Sequence, residues 1–214
     1  MRWTLFIAGL SLCTAQEWRY WGGDAGGQKF SRLKQVDRAN VSKLQVAWTY
    51  KTGEIADGKN YATRSAFETT PLMADGILYL TTPFNRVVAL EPETGREVWR
   101  YKVIGGVPSR RGVAYWPGED GVGPRVYVTS QRRLIAVDAR TGAAVEGFGT
   151  RGEVNMGPPF NSAATVYKQL LILGTNGIPG GVRAFNARTG VSRQGKAPQV
   201  RGHSATRASC ERSW

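Results

Sequence analysis

The sequence predicts an all-β fold, a partial β-propeller of about three four-stranded antiparallel blades, and three observations carry that prediction. The motif A-x-(D/E/N)-x-x-T-G recurs at Ala89, Glu91, Thr94 and Gly95, at Ala136, Asp138, Thr141 and Gly142, and at Ala184, Asn186, Thr189 and Gly190. Its copies stand about 47 residues apart, near the period of a four-stranded blade. Short runs of β-branched, aromatic and aliphatic residues alternate with Gly, Pro and Asp, and no long segment of helical period competes with them. The content of 27 Gly and 7 Trp in 214 residues suits a turn-rich β protein better than a helical one.

Residues 1–15 read as a secretory signal: Arg2, an apolar run from Trp3 to Leu12, then Thr14-Ala15 before Gln16. The run is too short to span a bilayer, so the expectation is export, to the periplasm or cell envelope. A lipoprotein reading through Cys13 is weaker, because bulky Leu12 stands where a small residue is wanted. Cys13 falls in the signal and Cys210 near the end of the chain, so the mature domain carries no disulfide framework.

Glu17 to Asn40, with turns marked by Gly22-Gly23 and Gly26-Gly27, reads as an entry segment crossing the end of the fold. Asp37 to Leu44 has room for one helical turn. Val46 to Lys51 matches Glu97 to Lys102, Trp48 aligning with Trp99, so an earlier copy of a blade's last strand stands ahead of the first full repeat.

Each blade then opens on a first strand (Thr70 to Ala74, Gly112 to Trp116, Ala163 to Tyr167) and a second (Ile77 to Thr81, Val126 to Thr129, Leu170 to Thr175). A third strand ends in the repeat motif. There the acidic or amide residue can bond the backbone of the turn, and Gly95 supplies the positive φ of a short hairpin loop. The following strand carries Trp99, which would bury roughly 150–250 Å² against a neighbouring blade. That burial is worth about 4–6 kcal/mol before entropy is subtracted. Arg132 replaces the turn glycine common in the repeat, which leaves the geometry of its hairpin open.

Where Trp99 follows Gly95, the second repeat offers Glu146, with Phe148 nearby, and the third offers Gln194. Val191 to Trp214 is rich in Ser, Arg, Gly and Ala, a composition of a disordered tail or of a shifted reading frame, and the second explanation is favoured because a blade is left without its outer strand. The expected organisation is a signal at 1–15, a partial propeller at 16–190 and an aberrant tail at 191–214, the whole a fragment of a larger design. A partial propeller standing alone would expose blade edges and self-associate.

The net charge of +13 suggests nucleic acid, yet the basic residues are scattered between strands and no nucleic-acid-binding motif accompanies them. The only histidine, His203, lies in the tail, so a Ser-His-Asp hydrolase or a histidine metal site is unsupported. There is no C-x-x-C, and the glycine pairs near Asp24 do not open a helix after a strand.

Candidate chemistry lies in residues that hold equivalent places in successive repeats. Glu68, Arg111 and Asn161 each stand just before the first strand of a blade, the strand that lines a propeller's axis. Thr81 or Thr82, Thr129 and Thr175 close the second strands, which run back to the same end. A carboxylate, a guanidinium, an amide and hydroxyls converging there would cradle a small, polar, multiply charged ligand. Taken singly, each is an ordinary turn or strand-end residue. Glu68 and Arg111 together are harder to explain that way, since both are costly near an axis without a partner.

Glu17 to Gly53, the stretch FETTPLMADGILYLTTPFNRVVALEPETGREVWRYK and the motif RRGVAYWPG resemble the amino-terminal blades of the pyrroloquinoline quinone (PQQ)-dependent dehydrogenases. The resemblance implies an eight-bladed propeller with tryptophan-docking repeats, and it covers most of Glu17 to Gly190. VEGFGTRGEVNM, Val145 to Met156, looks more like the glucose and polyol branch than the methanol branch, and the vicinal cysteine pair of alcohol-oxidising members is absent. By resemblance, Glu68 and Arg111 match positions that contact the quinone, and Thr129 and Asn161 match more loosely. Calcium is expected in the full-length family, but Pro179 in the loop TNGIPGG stands near where calcium-binding relatives place a glutamate, so a ligand is lost. The implied activity is oxidation of sugar, polyol or alcohol hydroxyls, with a quinone or cytochrome as electron acceptor. The family's catalytic aspartate lies in later blades, so this stretch alone is expected to be inactive. The alternative is a non-enzymatic propeller that uses the same repeats as a binding scaffold of the cell envelope.

Overall fold

The computed structural model describes residues 17–59, 61, 65–175 and 181–193. The expected signal, Pro179 and His203 lie outside them, as does all of the expected tail beyond Arg193. Three four-stranded antiparallel sheets follow one another along the chain, each in sequential strand order. The first contains β1 (Leu72–Ala74), β2 (Ile77–Thr81), β3 (Arg86–Leu90) and β4 (Glu97–Lys102). The second contains β5 (Ala114–Trp116), β6 (Arg125–Ser130), β7 (Arg133–Asp138) and β8 (Glu153–Asn155). The third contains β9 (Thr165–Tyr167), β10 (Leu170–Gly174), β11 (Val182–Asn186) and β12 (Ser192–Arg193). Inner strand β5 lies beside both β1 and β9, so the three first strands stand side by side.

Each inner ladder opens two residues later than the sequence suggests, at Leu72, Ala114 and Thr165. Among the residues before it, Gly112 packs against Thr70 O between the first two blades. The third blade does have an outer strand: β12 pairs Ser192 with Phe185 and Arg193 with Ala184, which corrects the expectation of a missing one. The expected helical turn appears as a 3-10 turn at Val41–Lys43. The entry segment does more than cross the end of the fold, because Trp18 forms an antiparallel bridge with Met73 on β1.

The core consists of layers between blades. One apolar cluster joins Leu72, Tyr79 and Trp99 of the first blade to Tyr115, Val126 and Val137 of the second. A second cluster joins Tyr127, Leu134 and Phe148 to Val166, Leu171 and Phe185 of the third. The repeated motif sets the spacing of these layers. In all three copies the glycine N–H donates to the carbonyl of the acidic or amide residue four positions earlier, at 2.8–2.9 Å, and the glycine φ is 70–74°. Asp138 Oδ1 accepts the backbone N–H groups of Arg140 and Thr141, both at 2.9 Å, and Asn186 does the same for Arg188 and Thr189. The longer Glu91 binds the Thr94 hydroxyl and Arg96 instead.

Against these turns lie the tryptophans. A β carbon placed on Gly142 would come within 2.8 Å of the Trp99 ring, and one on Gly95 would overlap Trp48. Trp99 Nε1 donates to Ala139 O at 2.9 Å, and Trp48 Nε1 donates to Pro92 O, the equivalent carbonyl, at 2.8 Å. Trp48 thus docks as the outer strand of a preceding blade would, although Val46 to Lys51 makes no ladder with described residues. At the third turn no tryptophan is present. Val154 and Phe148 cover Gly190, and Arg125 supplies the missing donor, its Nη1 reaching Ala187 O at 2.9 Å and Arg188 O at 2.6 Å. Tyrosine hydroxyls on the second strands reinforce the docking, Tyr79 to Ala139 O at 3.1 Å and Tyr127 to Ala187 O at 2.5 Å.

The second outer strand departs from the repeat. After Gly142 only a bridge from Ala144 to Val137 continues the ladder, and β8 begins at Glu153. The hairpin with Arg132 nevertheless closes in register, Ser130 opposite Arg133, because Gln131 takes the positive φ of 55°.

Three outcomes are expected. Gly142→Ala combines a left-handed backbone cost with overlap against Trp99, and should lower unfolding free energy by about 2–5 kcal/mol in urea titration. Gly76→Ala, at φ 74° but with open space around it, should lose only about 1–2 kcal/mol. Burial and the 2.5 Å bond from its hydroxyl to Glu97 raise the Tyr50 pKa to about 12. A phenol whose folded pKa lies above its unfolded value of about 10 contributes stability that is complete below about pH 10 and fades as pH rises to its folded pKa. Denaturation midpoints measured across that window should therefore fall less steeply in Tyr50→Phe than in the unaltered chain.

Candidate functional site

Between the three inner strands runs a groove of about 210 Å³, lined by Thr70, Leu72, Arg111, Tyr115 and Thr165 and covered by the entry segment from Arg19 to Gly27. Arg111 is exposed at the end from which the inner strands start. Glu68 and Asn161 are also exposed, each a few residues before an inner strand. No hydrogen bond or ion pair to a described residue engages the side chain of Glu68, Arg111 or Asn161. An exposed carboxylate, guanidinium and amide at strand starts can receive a ligand's charged and hydroxyl groups without first breaking an internal bond.

Thr129 stands differently. It is 1% exposed, and its hydroxyl donates to Ser162 O at 2.9 Å. The equivalent Thr81 hydroxyl donates to Ser109 O at 2.9 Å and lies 3.1 Å from Thr69 Oγ1. Ser109 N in turn donates to Thr129 O at 2.7 Å. A continuous belt, Thr69, Thr81, Ser109, Thr129, Ser162, therefore passes across all three blades. It places Glu68, Arg111 and Asn161 within two residues of a belt member. Gly112 allows the closest approach, since a β carbon there would lie 2.6 Å from Thr70 O. Thr82 turns the other way and donates to Glu54 Oε1 at 3.0 Å. Thr175 closes its own loop through Gly181.

Sequence reasoning missed Glu54, whose side chain is fully buried beside Arg86, 3.7 Å from its Nε. It also missed three arginines that reach back to the chain entering their blade: Arg86 to Thr52 O at 2.8 Å, Arg133 to Ile104 O at 2.7 Å and Arg183 to Met156 O at 2.8 Å. Arg86 and Arg133 stand three residues before Ala89 and Ala136 and were readable as a repeat, whereas Arg183 stands one before Ala184; the odd spacing puts all three on one face of the third strands. At the far end of the groove Arg19 bridges Glu17 at 2.9 Å and Asp75 at 2.7 Å. There the Tyr115 hydroxyl donates to the other oxygen of Asp75. Burial, then this bond, pushes the Tyr115 phenol well above its usual range. Among the described residues no cluster of three or more His, Cys, Asp or Glu side chains forms a metal site.

Residues 18–194 match the family model described as PQQ, glucose/ethanol/alcohol dehydrogenase, β-propeller domain. The chain belongs to the PQQ-dependent dehydrogenase β-propeller family. It is 37% identical over 181 residues to the quinohemoprotein alcohol dehydrogenase ADH IIB of Pseudomonas putida, covering 79% of this chain and 24% of that protein. It is 33% identical over 216 residues to a quinate/shikimate dehydrogenase (quinone) of Acinetobacter baylyi, covering 81% and 26%. Among solved structures, the quinohemoprotein alcohol dehydrogenase of Comamonas testosteroni superposes with a TM-score of 0.67 at 30% identity, over 84% of this chain and 27% of that one. The chain thus spans about a quarter of the length of these PQQ-dependent relatives.

Asp75→Asn keeps a residue tolerant of its positive φ of 49° and an acceptor for Tyr115, but removes the charge facing Arg19. The expected loss for this half-exposed pair is at most about 1 kcal/mol, read by urea titration, with faster trypsin cleavage after Arg19 as the sign that the entry segment has loosened.

Proposed function

We propose that this chain forms the amino-terminal blades of a PQQ-dependent dehydrogenase, in which Arg111, Glu68 and Asn161 hold the cofactor. The whole protein oxidises sugar or polyol hydroxyls, the stretch Val145 to Met156 being the feature that favours these over methanol. PQQ is a planar tricarboxylate, and the residues present fit it: the unengaged Arg111 guanidinium offers paired donors to a carboxylate or quinone oxygen. Glu68 and Asn161 offer an acceptor and an amide on either side. Thr129 contributes through its hydrogen bond to Ser162, next to Asn161, with only its lone pairs left for a ligand. PQQ held there would supply the hydride acceptor for oxidation of the substrate's C–H bond. The protein's own part at this end is to bind and orient through charge-assisted hydrogen bonds. Calcium has no ligand set among the described residues to which a role can be given.

The observation that carries the reading is three uncommitted polar side chains, each within two residues of one hydrogen-bonded belt that crosses the blades, within a chain of this family. The whole protein is exported, passes its electrons to a quinone or cytochrome, and draws its catalytic base from residues beyond these blades. This stretch alone is inactive and self-associates through its open edges. The non-enzymatic scaffold reading predicts no binding of PQQ, since exposed charges such as Glu68 and Arg111 carry no burial cost that a cofactor must offset.

Titration of the chain with PQQ, followed by quenching of tryptophan fluorescence, tests the reading. Saturable binding is expected, and Arg111→Met should weaken it by about 10–150-fold, the worth of a hydrogen bond to a charged group. No binding by the unaltered chain, or equal binding by the variant, would sink the assignment.

A further inference from the structure

Ser109 is 4% exposed, and every polar group it has is used. Its carbonyl accepts the Thr81 hydroxyl of the first blade at 2.9 Å. Its N–H donates to Thr129 O of the second at 2.7 Å. Its hydroxyl oxygen accepts the backbone N–H of Arg111 at 3.1 Å, a side chain capping the turn that carries the guanidinium. Two blades therefore grip one residue, and that residue grips Arg111. The Thr81 hydroxyl also lies 3.1 Å from Thr69 Oγ1, next to Glu68, so one strand end is bonded beside both charged candidates. A 1 Å error in a guanidinium's place is enough to lose a bidentate contact, and Arg111 sits with Arg110 in an exposed turn that belongs to no ladder.

We propose that Ser109 and Thr81 are positioning residues: through them the docking of the first blade on the second sets where Arg111 and Glu68 meet an anionic quinone ligand. Neither residue touches the ligand. The inference rests on the proposed cofactor site, but its geometric half does not depend on that site being correct. Valine at Thr81 keeps the shape of the buried position but removes the donor to Ser109, and serine keeps the donor but loses the methyl, so the two variants separate the hydrogen bond from a general loss of stability.

The experiment uses the full chain in four forms: unaltered, Ser109→Ala, Thr81→Val and Thr81→Ser. PQQ affinity is read by fluorescence quenching, melting temperature by circular dichroism, and exchange of the Arg111 amide by hydrogen-exchange mass spectrometry. Ser109→Ala and Thr81→Val should weaken PQQ binding by about tenfold and speed Arg111 amide exchange by a similar factor. Thr81→Ser should restore both values, even where melting temperatures of the Val and Ser variants agree. Binding and exchange unchanged in Ser109→Ala and Thr81→Val would overturn the proposal, as would a Ser variant that loses as much as the Val variant at equal melting temperature. If the unaltered chain binds no PQQ, the cofactor reading fails by itself. The amide exchange then decides the positioning claim alone, faster exchange in Ser109→Ala and Thr81→Val upholding it and unchanged exchange ending it.

Discussion

The blade stack depends on one contact, an aromatic ring laid against a glycine that has no β carbon. At Gly142 the glycine is needed twice, for a φ of 74° and for the room taken by Trp99. The indole N–H then finds the carbonyl of Ala139, which the turn leaves free. Burying the ring without that acceptor would strand a donor in an apolar layer, and placing the acceptor without the ring would strand a carbonyl. The motif supplies both at once, which is why one short pattern can set the distance between successive sheets.

How the chain manages where the contact is lost shows what the contact does. At Gly190 the apolar part is taken by Val154 and Phe148 and the polar part by Arg125. One tryptophan has been divided between residues of two strands and a turn. Shape and hydrogen bonding at this interface are therefore separate requirements, met together only when an indole is available. The same division accounts for β8 starting late, since the chain makes a loop to bring Phe148 in before the strand can resume.

Much of the basic excess has a structural use. Arg86, Arg133 and Arg183 each bond a carbonyl of the chain entering their blade, and Arg125 bonds two carbonyls of the next. A guanidinium can reach across an interface with its stem in the apolar layer and its donors on backbone oxygens. Arg111 is different because its backbone is held while its guanidinium meets no described partner. That contrast, rather than the charge itself, sets Arg111 apart from the clasps, and the proposed cofactor role rests on it.

The sequence by itself determined the strand runs, their antiparallel order and the turn chemistry, because these depend on local spacing: period two along a strand, a glycine after a threonine, an amide or acid four residues before it. It also read Glu68, Arg111 and Asn161 as standing shortly before the inner strands, but the belt shows that they are not strict repeats of one another: Asn161 comes one residue before Ser162, whereas Arg111 comes two after Ser109. The sequence pointed to Trp99 as a contact between blades, but tertiary structure decided which polar partners meet there. Composition could not show that the Thr129 hydroxyl is already bonded to Ser162, that Trp18 pairs with Met73, or that Arg125 replaces an indole, for the partners lie 33, 55 and 62 residues apart in the chain. Hydrogen bonds of that range appear in no local pattern; they exist only once the blades have stacked and the glycines have let them come close.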